Sequence, residues 1–70
     1  MTFEYFPETD TLYIALRPGP SADAAEVAPD VVLDYDTDGG VIGLTVEHAS
    51  TRADLGSFTV TQIPALAKAA

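Results

Sequence analysis

The sequence predicts an α+β domain that is mainly β, with an antiparallel β-meander of four to five strands and a short C-terminal helix. Apolar and polar residues alternate over several short segments, as in half-buried strands. Clusters of proline, glycine and aspartate separate these segments at the spacing of turns. An alanine-rich stretch near the C-terminus begins with a proline, which is favourable at the first position of a helix.

The first two strands are predicted to form a hairpin. Thr2–Phe6 and residues 11–17 both alternate in side-chain polarity. The polar residues 7–10 join them as a four-residue loop, because proline presets φ and aspartate can cap a turn. Residues 18–20, Pro-Gly-Pro, end the second strand, since proline cannot donate to a β-ladder.

A second hairpin is predicted further along the chain, where β-branched residues are most frequent. Its strands are Val31–Tyr35 and Val41–Glu47. The loop between them contains the pair Asp38-Gly39, a strong signal for a short hairpin turn. In such a turn both central residues are expected to adopt a positive φ.

The remaining segments give weaker signals. Residues 21–25 are small and polar, which favours a loop or a short 3₁₀ turn, and residues 26–28 are expected as a brief edge strand. Residues 49–54 are predicted as one helical turn that ends at a glycine. In the C-terminal segment 57–70, we expect a last strand over residues 57–63 and a helix over residues 64–70 that must dock on the rest.

Composition narrows the possible classes of function. Three basic and 11 acidic residues give a formal charge of −8, which argues against binding of nucleic acid. The absence of cysteine excludes disulfides and cysteine-ligated metals. The length of 70 residues predicts one domain over residues 1–70. Neither a membrane span nor a signal peptide is recognisable, so we expect the protein in the cytoplasm.

Apolar residues on both sides of the strongest strands predict that the sheet is covered by another surface. Val31, Leu33 and Tyr35 alternate with Val32, and Val41 lies opposite Ile42 in the next strand. The cover is expected to be the C-terminal segment, a second copy of the chain, or both. Small domains also have marginal cores, so we predict a homo-oligomer, most simply a dimer.

The order of several short motifs resembles a known family. The motifs are residues 5–10, 12–16, 26–29, 32–39, 41–46 and the pair Ala49-Ser50. Together they resemble the YuzE-like family of small bacterial and archaeal proteins, domain of unknown function 2283, over about residues 3–52. The resemblance implies a mostly antiparallel β domain without an established activity, and it supplies no catalytic residues.

The sequence also departs from the pattern of that family. Phe6 stands where an aspartate is common, and Thr45 and Glu47 lie in a stretch that often reads Ile-Glu-Ile. Some relatives are encoded beside small toxin-like proteins, so the resemblance also suggests an antitoxin-like role.

Three alternating carboxylates form a weak candidate cation site. Asp34, Asp36 and Asp38, followed by Gly39, match the first half of an EF-hand loop, whose oxygens suit Ca²⁺. Thr45 stands where the bidentate glutamate belongs, and no flanking helices are predicted. We therefore interpret these residues chiefly as an acidic, solubilising hairpin end, with a weak Ca²⁺ or Mg²⁺ site and paired carboxylate catalysis as alternatives.

No residue pattern predicts catalysis. His48 is the sole histidine, and a triad with Ser50 and Asp54 would lack a nucleophile elbow and an oxyanion loop. The glycines form no phosphate-binding fingerprint, so no cofactor is expected. The aromatic residues are predicted to pack in a core or interface: Phe3, Tyr5, Phe6, Tyr13, Tyr35 and Phe58.

These observations favour a non-enzymatic β module that self-associates. One alternative is an acidic, antitoxin-like inhibitor, because a strongly negative surface steers a small basic protein toward it. Another is a low-affinity Ca²⁺-binding protein that uses Asp34, Asp36 and Asp38.

Overall fold

A computed structural model describes residues 1–62, which form a five-stranded antiparallel sheet and one short helix. This confirms the predicted fold class. The helix predicted over residues 64–70 lies outside the described residues. The elements are β1 (Thr2–Phe6), β2 (Thr11–Ala15), β3 (Asp23–Ala28), β4 (Val31–Tyr35), β5 (Val41–Glu47) and α1 (Ala49–Arg52).

The strand order is β1-β2-β5-β4-β3, which refines the predicted meander. Strands β3, β4 and β5 form a meander, and the β1–β2 hairpin joins it at β5, so β5 is the central strand. Residues 16–22 must therefore pass two strand ends to reach β3. Arg17 in this connection donates to the Asp36 carboxylate, and the Ala22 N–H donates to the Tyr35 carbonyl at 2.8 Å. These bonds hold the connection against the β4–β5 end of the sheet.

Strand β3 differs from its prediction. It begins at Asp23, although residues 21–25 were expected in a loop and residues 26–28 in the strand. Ala24 and Ala25 pair with Asp34 and Leu33 of β4, and this ladder overrides the weak strand preference of alanine. A β-bulge follows between Glu26 and Ala28.

The β4–β5 hairpin is confirmed, but its turn differs from the predicted type. Gly39 has φ 83°, whereas Asp38 keeps a negative φ. The Asp36 N–H donates to the Gly40 carbonyl at 2.9 Å, and the Gly39 N–H donates to the Asp36 carbonyl at 3.0 Å. The loop therefore spans three residues and ends in a left-handed glycine, an arrangement that needs one positive φ rather than two.

The segment after β5 is part helix and part irregular chain. The predicted helical turn is present as α1 but ends earlier, at Arg52. The strand predicted over residues 57–63 is wrong for residues 57–62, which contain no strand. Phe58 instead packs edge-on against Phe3, with ring centroids 4.9 Å apart, so a side chain rather than a backbone ladder holds the segment to the sheet. Within residues 1–62, no helix has the length and apolar character that crossing a membrane requires.

Candidate interaction surface

One side of the sheet carries two successive rows of apolar residues that cross all five strands. Cross-strand partners project to the same side, so the register assigns each residue to a face. The first row of partners is Phe3, Ile14, Leu44, Leu33 and Ala25. The second row is Tyr5, Leu12, Val46, Val31 and Ala28. We call these ten residues the apolar face; neither row contains a charged side chain.

The opposite side of the sheet is mixed in character. The row between the two apolar rows projects to this side and consists of Glu4, Tyr13, Thr45, Val32 and Glu26. We call this side the polar face. It contains some valine, as the sequence predicted, but it also carries a carboxylate on each edge strand. Covering the apolar face would therefore bury more apolar surface than covering the polar face.

The apolar face is largely open. Among residues 1–62 the buried hydrophobic residues are Ile42, 3% exposed, and Ala49, 0% exposed. Leu33 and Leu44 lie at the middle of the sheet yet are only half-buried, and Phe3 is 45% exposed. Stable domains usually pack a second layer on such a face. The described chain supplies a single layer.

A groove of about 450 Å³ lies where residues 53–58 pass the β1–β2 end of the sheet. Its apolar walls include Phe3, Tyr5 and Leu12 from the sheet, and Leu55 and Phe58 from the C-terminal segment. Glu4, between Phe3 and Tyr5, also borders the groove. Phe58 nevertheless remains 67% exposed. The described part of the C-terminal segment thus borders one end of the apolar face and leaves the groove open.

Asp10 ties this end of the sheet to α1. Its carboxylate accepts hydrogen bonds from the Tyr5 hydroxyl at 2.7 Å, the Ser50 hydroxyl at 2.7 Å and the Ser50 N–H at 3.0 Å. The bond from Ser50, followed by that from Tyr5, lowers the pKa of Asp10 against the opposing effect of desolvation. The bond to Asp10 also raises the pKa of Tyr5. Asp10 has φ 53°, a conformation that aspartate tolerates better than most residues.

Asp30 provides a second attachment for α1, in the β3–β4 turn. Its carboxylate lies 3.1 Å from Nε of Arg52 and 3.2 Å from Nδ1 of His48. Its carbonyl accepts from the Glu47 N–H at 2.8 Å. Desolvation raises the pKa of Asp30, but the contacts with His48 and Arg52 outweigh it, and the pKa is lowered overall. Two acidic turns therefore hold the start and end of α1.

The predicted cation ligands do not converge. Asp36 Oδ1 accepts from the N–H groups of Asp38 and Gly40 at 2.9 and 2.8 Å, and Oδ2 pairs with Arg17. The Gly40 N–H contributes most to lowering the pKa of Asp36, against desolvation, with further help from Asp38 and Arg17. Asp34 belongs to β4, on the strand rather than the turn. Within residues 1–62, no group of three or more potential ligands is placed to hold a metal ion.

The nominal triad residues are engaged separately. His48 contacts Asp30, the Ser50 hydroxyl donates to Asp10, and Asp54 accepts from the Gly56 N–H at 3.0 Å. Each group therefore has a structural partner of its own, and the contacts of His48 and Ser50 attach α1 to the two turns.

A comparison with known protein families gives a match. A family model described as a protein of unknown function, DUF2283, matches residues 2–50. The chain belongs to the DUF2283 family. No curated protein and no solved structure matches it.

The DUF2283 match has a clear structural meaning. Residues 2–50 include all five strands and the apolar face, and they end at Ser50, the partner of Asp10. Residues 53–58, which border the groove, follow the matched region. The open face is thus part of the DUF2283 region itself. The sequence identified the turn at Asp10 and the pair Ala49-Ser50, but nothing in their spacing signalled that they meet.

Proposed function

We propose that this DUF2283 chain is a non-enzymatic β module that self-associates as a dimer through its apolar face. The proposal depends on one observation: two uncharged rows cross all five strands on a side of the sheet that the described chain leaves open. Exposed apolar patches of this extent typically mark a surface of interaction.

The distribution of charge also suits a symmetric pair. Two apolar faces can approach to the spacing of about 10 Å that packed sheets adopt, because neither brings a charged row to the contact. Glu4 and Glu26 belong to the polar face and would remain in water. We expect a twofold axis near Leu33 and Leu44, at the middle of the sheet and away from the groove.

Adjacent residues of β4 provide a matched test. Leu33→Lys places a charge on the apolar face, and Val32→Lys places the same charge on the polar face of the same strand. We expect sedimentation velocity to give a dimer for the unmodified chain and for Val32→Lys, and a monomer for Leu33→Lys. A monomeric unmodified chain, or a Leu33→Lys variant that still dimerises, would contradict the proposal.

The two alternatives from the sequence are not favoured by a specific contact. The Asp36 carboxylate is already used by its own turn and by Arg17, which speaks against the calcium hypothesis. The acidic-inhibitor hypothesis depends on the formal charge of −8 and stays a prediction. A gene for a small basic protein beside this one, with co-purification of the two products, would support it.

A further inference from the structure

Strand β1 forms an edge of the sheet, and among residues 1–62 the outward side of its backbone has no hydrogen-bond partner. It pairs with β2 along Thr2–Phe6, and all five of its residues are exposed. Within residues 1–62, its backbone hydrogen bonds go to β2 and to the turn at Thr9. The outward N–H and C=O groups of an edge strand are a template for pairing with another chain.

The two edges of the sheet are protected to different degrees. At the other edge, β3 contains a bulge, carries Asp23 and Glu26, and is followed by Pro29. Bulges, charges and prolines are the usual means of blocking strand addition. The register of β1 is unbroken, and Glu4 is its single charged residue. Of the two edges, β1 is the one suited to accept a strand.

Glu4 disfavours a second copy of β1 as the added strand. Antiparallel pairing of Thr2–Phe6 with itself in full overlap would place Glu4 directly opposite Glu4. Like charges in directly opposed positions are destabilising, whereas an opposite charge stabilises the pair. Within residues 1–62 Glu4 has no salt-bridge partner, so it could form a new one with an added strand.

We propose that β1 binds an extended segment of a partner protein, added antiparallel as a sixth strand, in which a basic residue lies between two apolar ones. The basic residue would face Glu4, and the apolar residues would lie beside Phe3 and Tyr5 near the mouth of the groove. Main-chain bonds would provide affinity, and the alternating side chains would provide specificity. The formal charge of −8 favours the approach of such a segment.

This surface is the edge of the sheet, so the inference is independent of dimerisation through the apolar face. The probe is a synthetic peptide, acetyl-Ser-Thr-Val-Lys-Val-Thr-Ser-amide, titrated into isotope-labelled protein and followed by NMR. We expect amide shifts and slower hydrogen exchange centred on Thr2–Phe6. The same peptide with glutamate in place of lysine is expected to bind about fivefold more weakly.

Two charge reversals test the position of the site. Glu4→Lys should reverse the preference between the two peptides, and Glu4→Gln should remove it with less risk to folding. Glu26→Lys changes the net charge equally on the other edge strand and should leave the preference intact. A lysine peptide methylated on the backbone nitrogens that face β1 should not bind.

Three results would overturn the inference. In the first, the amide shifts centre outside β1. In the second, the lysine and glutamate peptides bind equally well, or neither binds. In the third, Glu26→Lys changes the preference between the peptides as much as Glu4→Lys does. The unmodified protein's dimerisation affects none of these readings, because the peptides are compared on the same protein.

Discussion

The Asp10 carboxylate binds Ser50 through both of its oxygens: Oδ1 accepts from the backbone N–H at 3.0 Å, and Oδ2 accepts from the hydroxyl at 2.7 Å. The two residues are 40 positions apart. Asp10 ends the β1–β2 turn, and Ser50 lies in α1, directly after the central strand. This pair therefore joins the first hairpin to the end of β5.

Removal of the Ser50 hydroxyl should weaken this junction. We expect Ser50→Ala to lower the urea midpoint of unfolding, because one oxygen of Asp10 loses its donor. Ser57→Ala is the matched control, since the Ser57 hydroxyl makes no hydrogen bond within residues 1–62. Equal midpoints for Ser50→Ala and the unmodified chain would show that the bond adds no stability.

The stability of the fold should decrease in acid. Asp10, Asp30 and Asp36 have lowered pKa values in the folded chain, so the unfolded chain binds more protons in the acidic range. Their contribution is present above the unfolded aspartate pKa of about 3.9 and is lost as the pH falls through the folded values. Urea midpoints measured at pH 7 and near pH 3 should show this decrease.

A variant identifies the source of the acid effect. Asp10→Asn cannot titrate, so its urea midpoint should fall less between these two pH values than that of the unmodified chain. Asp54→Asn, at a carboxylate with one local bond to Gly56, is the control. An identical acid loss in Asp10→Asn and the unmodified chain would refute the assignment.

Gly43 lies beside the end of the Tyr13 side chain on the polar face. A Cβ at this position would lie 2.7 Å from the Tyr13 hydroxyl oxygen and 3.2 Å from Cζ. Gly43→Ala should therefore cost about 1–3 kcal/mol in the free energy of unfolding, as overpacked sites do. In a Tyr13→Val background the same change should cost clearly less, and a double-mutant cycle from urea unfolding measures the difference. Additive effects would contradict the steric explanation.

Ile42 should contribute more to stability than its neighbour in β5. Its side chain is 3% exposed, whereas Val41 is half-buried. Truncation of a buried isoleucine to alanine typically costs about 2–5 kcal/mol. We expect Ile42→Ala near the lower end of that range and Val41→Ala below it, both by urea unfolding. A larger loss in the free energy of unfolding for Val41→Ala than for Ile42→Ala would contradict this order.

Local sequence signals were sufficient for the hairpins and the fold class. Alternation predicted β1, β2, β4 and β5, and the Asp38-Gly39 pair located the β4–β5 turn. The insertion of β5 between β2 and β4 depends on long-range pairing that no local motif encodes. Strand β3 was missed for a different reason: it pairs with β4 through a short local hairpin, and this pairing makes a strand of two alanines, whose own strand preference is weak.

The contacts around α1 could not be predicted from the sequence. Asp10, Asp30 and His48 all adopt a positive φ, although none of them is glycine. These residue types tolerate that conformation, but tolerance does not predict which of the many aspartates will adopt it. The partners Ser50 and Arg52 are distant in sequence from the turns that they contact, so the attachment became visible only in the folded chain.

The most direct test of the account is the mass of the unmodified chain in solution, measured by light scattering across micromolar concentrations. We expect a species of about twice 7.3 kDa, which dissociates as the chain is diluted. A constant mass of one chain over the whole range would contradict it, because the apolar face would then persist without a second copy to cover it.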